Sequence, residues 1–242
     1  SGRKGPTGPL TDISTLVIPV QFSDLSFTIE NTRSHFERMI KGSGYSEYGA
    51  TGSVKEYFED NLKGVVNVRF DVAAVVTLGK PLSYYGANND NSRTDPIQYD
   101  VRIEEMFRDA CRLADKDVNF SDYNYVYIFF AGYSEAEGGA EESIWPMSIS
   151  LQDDPVVLDG SRIVNFSCSA ELRGNSGEMP AGIGAFCHEF GHLLGFRDLY
   201  DVDYKENGQS KGLWGSLSLM DYGCYNNQGR TPPYLCAIEL ES

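Results

Sequence analysis

One pentad, His188-Glu189-Phe190-Gly191-His192, constrains the fold and chemistry of this chain more than any other feature. The chain has only three histidines, and two of them lie in this pentad. On a helix, residues four apart share one face, so both imidazoles can reach a single metal ion with Glu189 beside it. Two histidines and a carboxylate on a buried helix need polar partners, which a metal ion supplies. The flanking residues predict burial because most of them are apolar, namely Ile183, Phe186, Phe190, Leu193 and Leu194.

A third protein ligand is expected, because a catalytic zinc ion usually has three protein ligands and one water. Gly195 follows His192 by three residues and Asp198 follows it by six. Glycine can adopt a positive φ, which ends the helix and turns the next polar residue back towards the metal. We therefore predict His188, His192 and Asp198 as metal ligands and Glu189 as the general base.

Other donors remain open at this stage. His35, the third histidine, lies far upstream on a predicted amphipathic helix. Three carboxylates that follow Asp198 are further candidates, as ligands or in a structural role, namely Asp201, Asp203 and Glu206. The Asp-x-x-Asp-x-Asp spacing that begins at Asp198 also leaves a Ca²⁺ site open.

A second segment, Ser218-Leu219-Met220-Asp221-Tyr222-Gly223, follows the pentad by about thirty residues. In metzincins a turn that contains methionine lies beneath the zinc histidines. A tyrosine two residues after that methionine can reach the metal or the oxyanion. We therefore place Met220 beneath the metal, with Gly195 as the turn residue, and predict a catalytic role for Tyr222.

The segment HEFGHLLGFRDLYD, from His188 to Asp201, closely resembles the zinc segment of the immune-inhibitor-A-like family of secreted bacterial metalloproteases. Arg197 departs from the family's common proline before the aspartate but leaves Asp198 in register. The resemblance implies a zinc endopeptidase of metzincin-like architecture with one catalytic Zn²⁺ and protein substrates. It also implies a secreted, periplasmic or cell-surface location. Shorter matching segments are Ser53-Val54-Lys55-Glu56-Tyr57-Phe58, Tyr84-Tyr85-Gly86, Ser143-Ile144-Trp145-Pro146 and Gly212-Leu213-Trp214-Gly215.

The pattern of the whole chain predicts one α/β catalytic domain over residues 1–242, with a flexible segment at about 1–12 and a cleft near 182–223. We expect a mixed twisted sheet, an active-site helix and a smaller C-terminal lobe. Strands are predicted at 14–22, 65–76 (or a hairpin arm there) and 123–130, with a hairpin around Asp159-Gly160. Helices are predicted at 31–40, at 53–62, after Asp95-Pro96 and after Pro233.

In metzincin-like enzymes the strand before the zinc helix forms the rim of the cleft and pairs with an extended substrate. That role is predicted here for the six residues Ile163, Val164, Asn165, Phe166, Ser167 and Cys168.

A formal net charge of −15 opposes nonspecific binding to nucleic acid, because the phosphates would be repelled. No apolar run approaches the roughly twenty residues that a membrane span requires. We therefore expect a monomer that binds protein or peptide, without nucleic-acid partners and without a membrane span.

Five cysteines, an odd number, leave at least one thiol unpaired. Cys187 adjoins His188 but points about 100° away around the helix, so we interpret it as a packing residue.

Two alternatives to a peptidase remain. A non-catalytic surface-binding module with a structural zinc site would need a fourth ligand such as Cys187 or Cys224. A zinc hydrolase of non-peptide substrates would share the pentad.

Overall fold

The computed structural model describes residues 11–88, 100–202, 212 and 214–241. Its centre is a seven-stranded sheet with the order β2-β1-β4-β8-β5, in which β3 also pairs with β1 and β9 with β8. The strands are β1 (Thr11–Gln21), β2 (Val66–Val72), β3 (Val76–Thr77), β4 (Tyr125–Tyr133), β5 (Met147–Ser150), β6 (Val156–Leu158), β7 (Ser161–Ile163), β8 (Asn165–Arg173) and β9 (Met179–Pro180).

Seven α-helices occur in the described part of the chain, and the longest, α4, has 12 residues. None of the described helices is both long and apolar enough to cross a membrane. They are α1 (Thr32–Lys41), α2 (Val54–Asn61), α3 (Leu82–Tyr85), α4 (Ile103–Ala114), α5 (Ile183–Leu193), α6 (Asn226–Gly229) and α7 (Ala237–Leu240).

The sheet is mostly parallel and covered on both faces. Strands β2, β1, β4 and β8 run parallel, and β5 pairs with β8 in the antiparallel direction. β1 and β4 consist mainly of buried residues, as expected of parallel strands with helices on both sides. The strands predicted at 14–22 and 123–130 are confirmed, and so is the mixed α/β class.

Alternate residues of the central strands face different helices. On one face, Ile18 and Ile128 pack in the same core as α4. On the other face, Val17, Tyr127 and Phe129 pack with α1, α2 and α5. The sheet therefore separates α4 from the helix that carries the pentad.

Helix α5 is anchored by aromatic side chains. The Phe186 ring stacks on Tyr127 with ring centroids 3.7 Å apart. Phe190 packs edge-on against Phe58 and Phe70 at 5.0 and 5.1 Å. Each such buried ring stabilises the fold by about 3–5 kcal/mol relative to alanine. The burial predicted for this helix is confirmed.

Several predicted elements differ in extent or pairing. Residues 65–76 do not form a hairpin arm, because β2 and β3 both pair with β1 in the parallel direction. Thr11 and Asp12 belong to β1, so the predicted flexible segment does not extend to residue 12. The helix expected after Asp95-Pro96 is confirmed from Ile103 onward, while residues 95–96 lie outside the described part.

Strand β8 has neighbours on both sides, which contradicts the free rim expected at residues 163–168. Ile163 ends β7 in a hairpin with β6, and Val164 follows it. Phe166, Ser167 and Cys168 pair with β4 on one side and β5 on the other. The sequence could not reveal this pairing, because β5 is only four residues long. The strand at this edge of the described sheet is β5.

Candidate metal centre

Helix α5 presents His188 and His192 on one face, with ring centroids 5.0 Å apart. His188 and Glu189 are only 6% and 7% exposed, so these polar groups are largely withdrawn from water. The i, i+4 spacing produces this juxtaposition directly.

Gly195 ends the helical segment and reverses the chain. Its φ of +100° is one that residues with a side chain rarely adopt. The Phe196 N–H then donates to the Gly191 carbonyl at 3.0 Å. This turn brings Asp198 Oδ1 to 3.2 Å from His188 Nε2 and 3.3 Å from His192 Nε2. The structure thus brings together the three residues predicted as ligands.

The tautomers of both histidines are fixed by backbone carbonyls. His188 Nδ1 lies 2.9 Å from the Leu219 carbonyl, and His192 Nδ1 lies 2.9 Å from the Phe196 carbonyl. A carbonyl can only accept, so each Nδ1 carries the proton and a neutral imidazole presents a lone pair at Nε2. Backbone carbonyls hold metal-binding histidines in this way in many proteins.

Two Nε2 lone pairs and a carboxylate oxygen therefore meet at one point. Asp198 Oδ1 is buried and has no hydrogen-bond partner of normal geometry. Three acceptors this close are stable only with a cation between them, either protons or a metal ion. Donors about 2.0–2.1 Å from a tetrahedral zinc ion lie roughly 3.3 Å apart, which matches both distances to Asp198. These three donors therefore fit a metal ion such as zinc.

Electrostatics support the same conclusion. Burial alone would lower the pKa of each imidazole, but the close contact with Asp198 and the charge of Glu189 together overcome it, and the pKa values of His188 and His192 are raised. Burial opposes ionisation of Asp198, yet the two imidazoles hold the pKa of this carboxyl below its usual range. The metal-free centre thus attracts protons, and a metal ion must displace them.

Glu189 lies beside the group formed by His188, His192 and Asp198 and is not part of it. Burial raises the pKa of its carboxyl, although His188 and His192 oppose this shift. The Ser167 hydroxyl donates to the Glu189 backbone carbonyl at 3.0 Å, which ties α5 to the sheet. A carboxylate with a raised pKa is suited to accept and return a proton near neutral pH.

The turn that contains Met220 packs directly against α5. Met220 is fully buried, and its carbonyl accepts from the Leu199 N–H at 2.8 Å, next to Asp198. A Cβ atom on Gly191 would lie 2.9 Å from the Met220 sulfur, so glycine at this position allows the close approach of the helix and the turn. The expected position of Met220 beneath the histidines agrees with these contacts.

Among the described residues, Tyr222 forms no direct contact with His188, His192 or Asp198 and approaches them only through another ring. Its side chain is 55% exposed, and its ring stacks on Tyr200 at 6.3 Å. The Tyr200 ring in turn lies 6.4 Å from the His188 ring. Tyr200 was missed by the sequence reasoning, as were the carbonyls of Leu219 and Phe196, because a backbone acceptor leaves no signal in residue type.

The competing donors lie elsewhere or outside the described part. His35 lies on α1 with Nδ1 3.5 Å from a Glu47 carboxylate oxygen. Among the described residues, the single group that could hold a metal ion contains neither His35, Asp201 nor any cysteine. No second cluster of carboxylates among the described residues supports a Ca²⁺ site, and Asp203 and Glu206 lie outside those residues.

The part of the chain that builds this centre is similar in sequence to known peptidases. Residues 123–236 match the model of the immune inhibitor A peptidase M6 catalytic domain. The chain is 24% identical over 220 residues to the pre-pro-metalloprotease PrtV of Vibrio cholerae serotype O1, covering 76% of this chain and 23% of that protein. It is 20% identical over 265 residues to immune inhibitor A of Bacillus thuringiensis subsp. alesti, covering 89% of this chain and 37% of that protein.

The chain therefore spans well under half the length of these relatives. The family model covers β4, β5, β8, α5 and the Met220 turn, which together build the candidate metal centre. The resemblance predicted from the segment that begins at His188 is thus confirmed, and residues 123–236 are similar to the immune inhibitor A peptidase M6 catalytic domain.

Proposed function

We propose that this chain is a zinc-dependent endopeptidase of metzincin-like architecture, with His188, His192 and Asp198 as ligands of one catalytic Zn²⁺. The observation that carries the proposal is the convergence of two Nε2 atoms of fixed tautomer on the buried Asp198 oxygen, beside Glu189. The relation to the M6 peptidases favours the same chemistry.

Zinc held by two neutral imidazoles and a carboxylate supplies Lewis acidity and lowers the pKa of a bound water from about 9 towards 7. Glu189 accepts the proton of the attacking water and then delivers it to the leaving amine. Its burial keeps this proton exchange shielded from bulk solvent. Tyr222 is proposed as an additional donor to the oxyanion, one tyrosine ring removed from His188.

The free edge of β5 is the proposed docking site for extended substrate. The Leu151 N–H donates to the Val164 carbonyl at 2.6 Å, so alternate residues of β5 point their backbone groups towards β8. The backbone groups of Ser148 and Ser150 consequently face outward and can pair with a peptide. The Ser167 hydroxyl contacts both Ser148 Oγ, at 2.9 Å, and the Glu189 carbonyl, which connects this edge to the catalytic helix.

Protein or peptide is therefore the proposed partner, and a secreted, periplasmic or cell-surface location is the proposed setting. One relative carries the name pre-pro-metalloprotease and another the name immune inhibitor A, which favour proteolysis over other zinc-dependent hydrolysis.

The variant Glu189→Gln tests the chemistry. It should retain zinc, because Glu189 is not a ligand, and should lower the hydrolysis rate by about 10²–10⁴-fold through loss of the base. Zinc content by elemental analysis and cleavage of casein should be measured in the same samples. Glu104→Gln, which alters a carboxylate that is 61% exposed on α4, is the control and should keep both properties. Normal cleavage by Glu189→Gln would disprove the proposed mechanism.

A further inference from the structure

A buried carboxylate from the C-terminal helix reaches the turn beneath the metal centre. Glu239, on α7, is only 2% exposed. Its Oε1 accepts from the Ser218 hydroxyl at 2.6 Å and from the Met220 N–H at 2.9 Å. Its Oε2 accepts from the Cys236 N–H at 2.6 Å. Glu239 lies beyond residue 236, where the match to the family model ends.

The peptide group between Leu219 and Met220 connects this carboxylate to a proposed metal ligand. Its N–H is the Met220 donor that Glu239 accepts, shared with Ser218 Oγ at 3.1 Å. Its C=O is the Leu219 acceptor that fixes His188 Nδ1 at 2.9 Å. One peptide plane therefore separates the carboxylate from the imidazole.

A charged acceptor on one end of a peptide group polarises the other end. The Glu239 carboxylate draws the Met220 proton and makes the Leu219 oxygen a stronger acceptor, since hydrogen bonds in a chain strengthen each other. A stronger acceptor at Nδ1–H makes Nε2 a better donor to a metal ion. The same turn also fixes Asp198 through the bond from the Leu199 N–H to the Met220 carbonyl.

Capping of α7 alone does not account for the position and burial of the Glu239 carboxylate. The Cys236 N–H contact would need only one of its oxygens. Burial of a charge is costly without a cation, and none of the ion pairs formed by described residues includes Glu239. A metal ion on the far side of His188, or the proton that takes its place, would supply a compensating positive charge.

We infer that Glu239 is a positioning residue for the metal centre, which acts on His188 through the Leu219–Met220 peptide group. This inference rests on the proposed metal site but concerns its affinity for metal, not the reaction. Glu239 holds the turn in place and increases the donor strength of His188 Nε2.

The variant Glu239→Gln removes the charge with little change of shape. Glu241→Gln, two residues further and exposed, is the matched control. The dissociation constant for Zn²⁺ should be measured by competition with a chelator, with the melting temperature of each metal-free variant recorded to establish folding. We expect Glu239→Gln to weaken zinc binding by about tenfold or more, the range seen for outer-shell partners, and to change the visible spectrum of the Co²⁺-substituted protein. Glu241→Gln should change neither.

The inference would be overturned if a folded Glu239→Gln variant had the same zinc affinity and cobalt spectrum as the unmodified chain. That result would leave the proposed function intact. Failure of the unmodified chain to bind zinc would overturn the proposed function together with it.

A second measurement needs no variant. Zinc binding at Nε2 makes Nδ1–H more acidic, so the Met220 amide proton resonance should move downfield on zinc loading, while the Glu241 amide should not respond. An unchanged Met220 resonance would also overturn the inference.

Discussion

At the scale of single residues, the proposed metal centre is defined by three atoms that must give up their protons before a metal can bind. His188 and His192 both present Nε2 towards Asp198 Oδ1 because backbone carbonyls occupy their Nδ1 atoms. The raised pKa of each imidazole and the lowered pKa of Asp198 describe the metal-free state, in which protons take the place of the metal. Protons and the proposed zinc ion would therefore compete for the same three residues.

Zinc binding should release protons, and its affinity should rise with pH. Because the folded-state pKa values of both histidines lie above the ordinary value of about 6.5, protons still compete at pH values where a free imidazole is neutral. Calorimetry in buffers of different ionisation enthalpy should detect release of protons near neutral pH. Equal zinc affinity at about pH 6 and about pH 8 would contradict the proposed donor set.

In the metal-free chain the same pKa shifts stabilise the fold over a limited range of pH. The histidine contribution is present below about pH 6.5 and is lost as pH rises through the raised pKa values. The Asp198 contribution is present above about pH 3.9 and is lost as pH falls through its lowered pKa.

At the scale of elements, helix α5 depends on glycines that allow close packing. The Cβ of an alanine at Gly184 would lie 1.9 Å from the Cys224 carbonyl oxygen, and at Gly191 it would meet Met220. The pentad predicted the helix, its buried face and the histidine juxtaposition. It did not predict the contacts of Gly184, since they depend on a turn forty residues later whose folded position has no local sequence signal.

The variant Gly184→Ala should separate α5 from the segment that contains Cys224. Overpacking against a backbone atom should lower the free energy of unfolding by about 1–3 kcal/mol. Gly79→Ala is the control, because a Cβ there meets nothing within 4 Å, and it should be neutral or slightly stabilising. Urea unfolding of both metal-free variants gives the comparison, and equal stabilities would show that α5 and this segment are not packed as described.

At the scale of the whole molecule, the sheet places the candidate metal centre beside β5, the outermost strand on this side of the described sheet. The buried strands β1 and β4 could be predicted because apolar runs such as Tyr125–Tyr133 are typical of parallel central strands. The edge strand could not be predicted from the sequence, because β5 is short. Only its pairing with β8 shows which strand is outermost. Asp198 could be predicted from the glycine before it, whereas Glu239 carries no motif.

Substitution of proline in β5 tests the proposed docking edge. Ser150→Pro removes an outward N–H while leaving the pairing with β8, which edge strands tolerate. Loss of one backbone hydrogen bond, about 1 kcal/mol, should lower kcat/KM for a peptide by about fivefold, with zinc content unchanged. Ser150→Ala keeps the N–H and should behave as the unmodified chain. Equal kcat/KM for the two variants would exclude pairing of substrate at this residue.

The most direct test of the central claim is the zinc content of the unmodified chain, Asp198→Ala and Asp201→Ala, by elemental analysis. Casein cleavage and its sensitivity to chelator should be followed in the same samples. The account predicts one zinc ion per chain with chelator-sensitive cleavage in the unmodified protein and in Asp201→Ala, and loss of both in Asp198→Ala. Full zinc content in Asp198→Ala, or none in the unmodified protein, would contradict it.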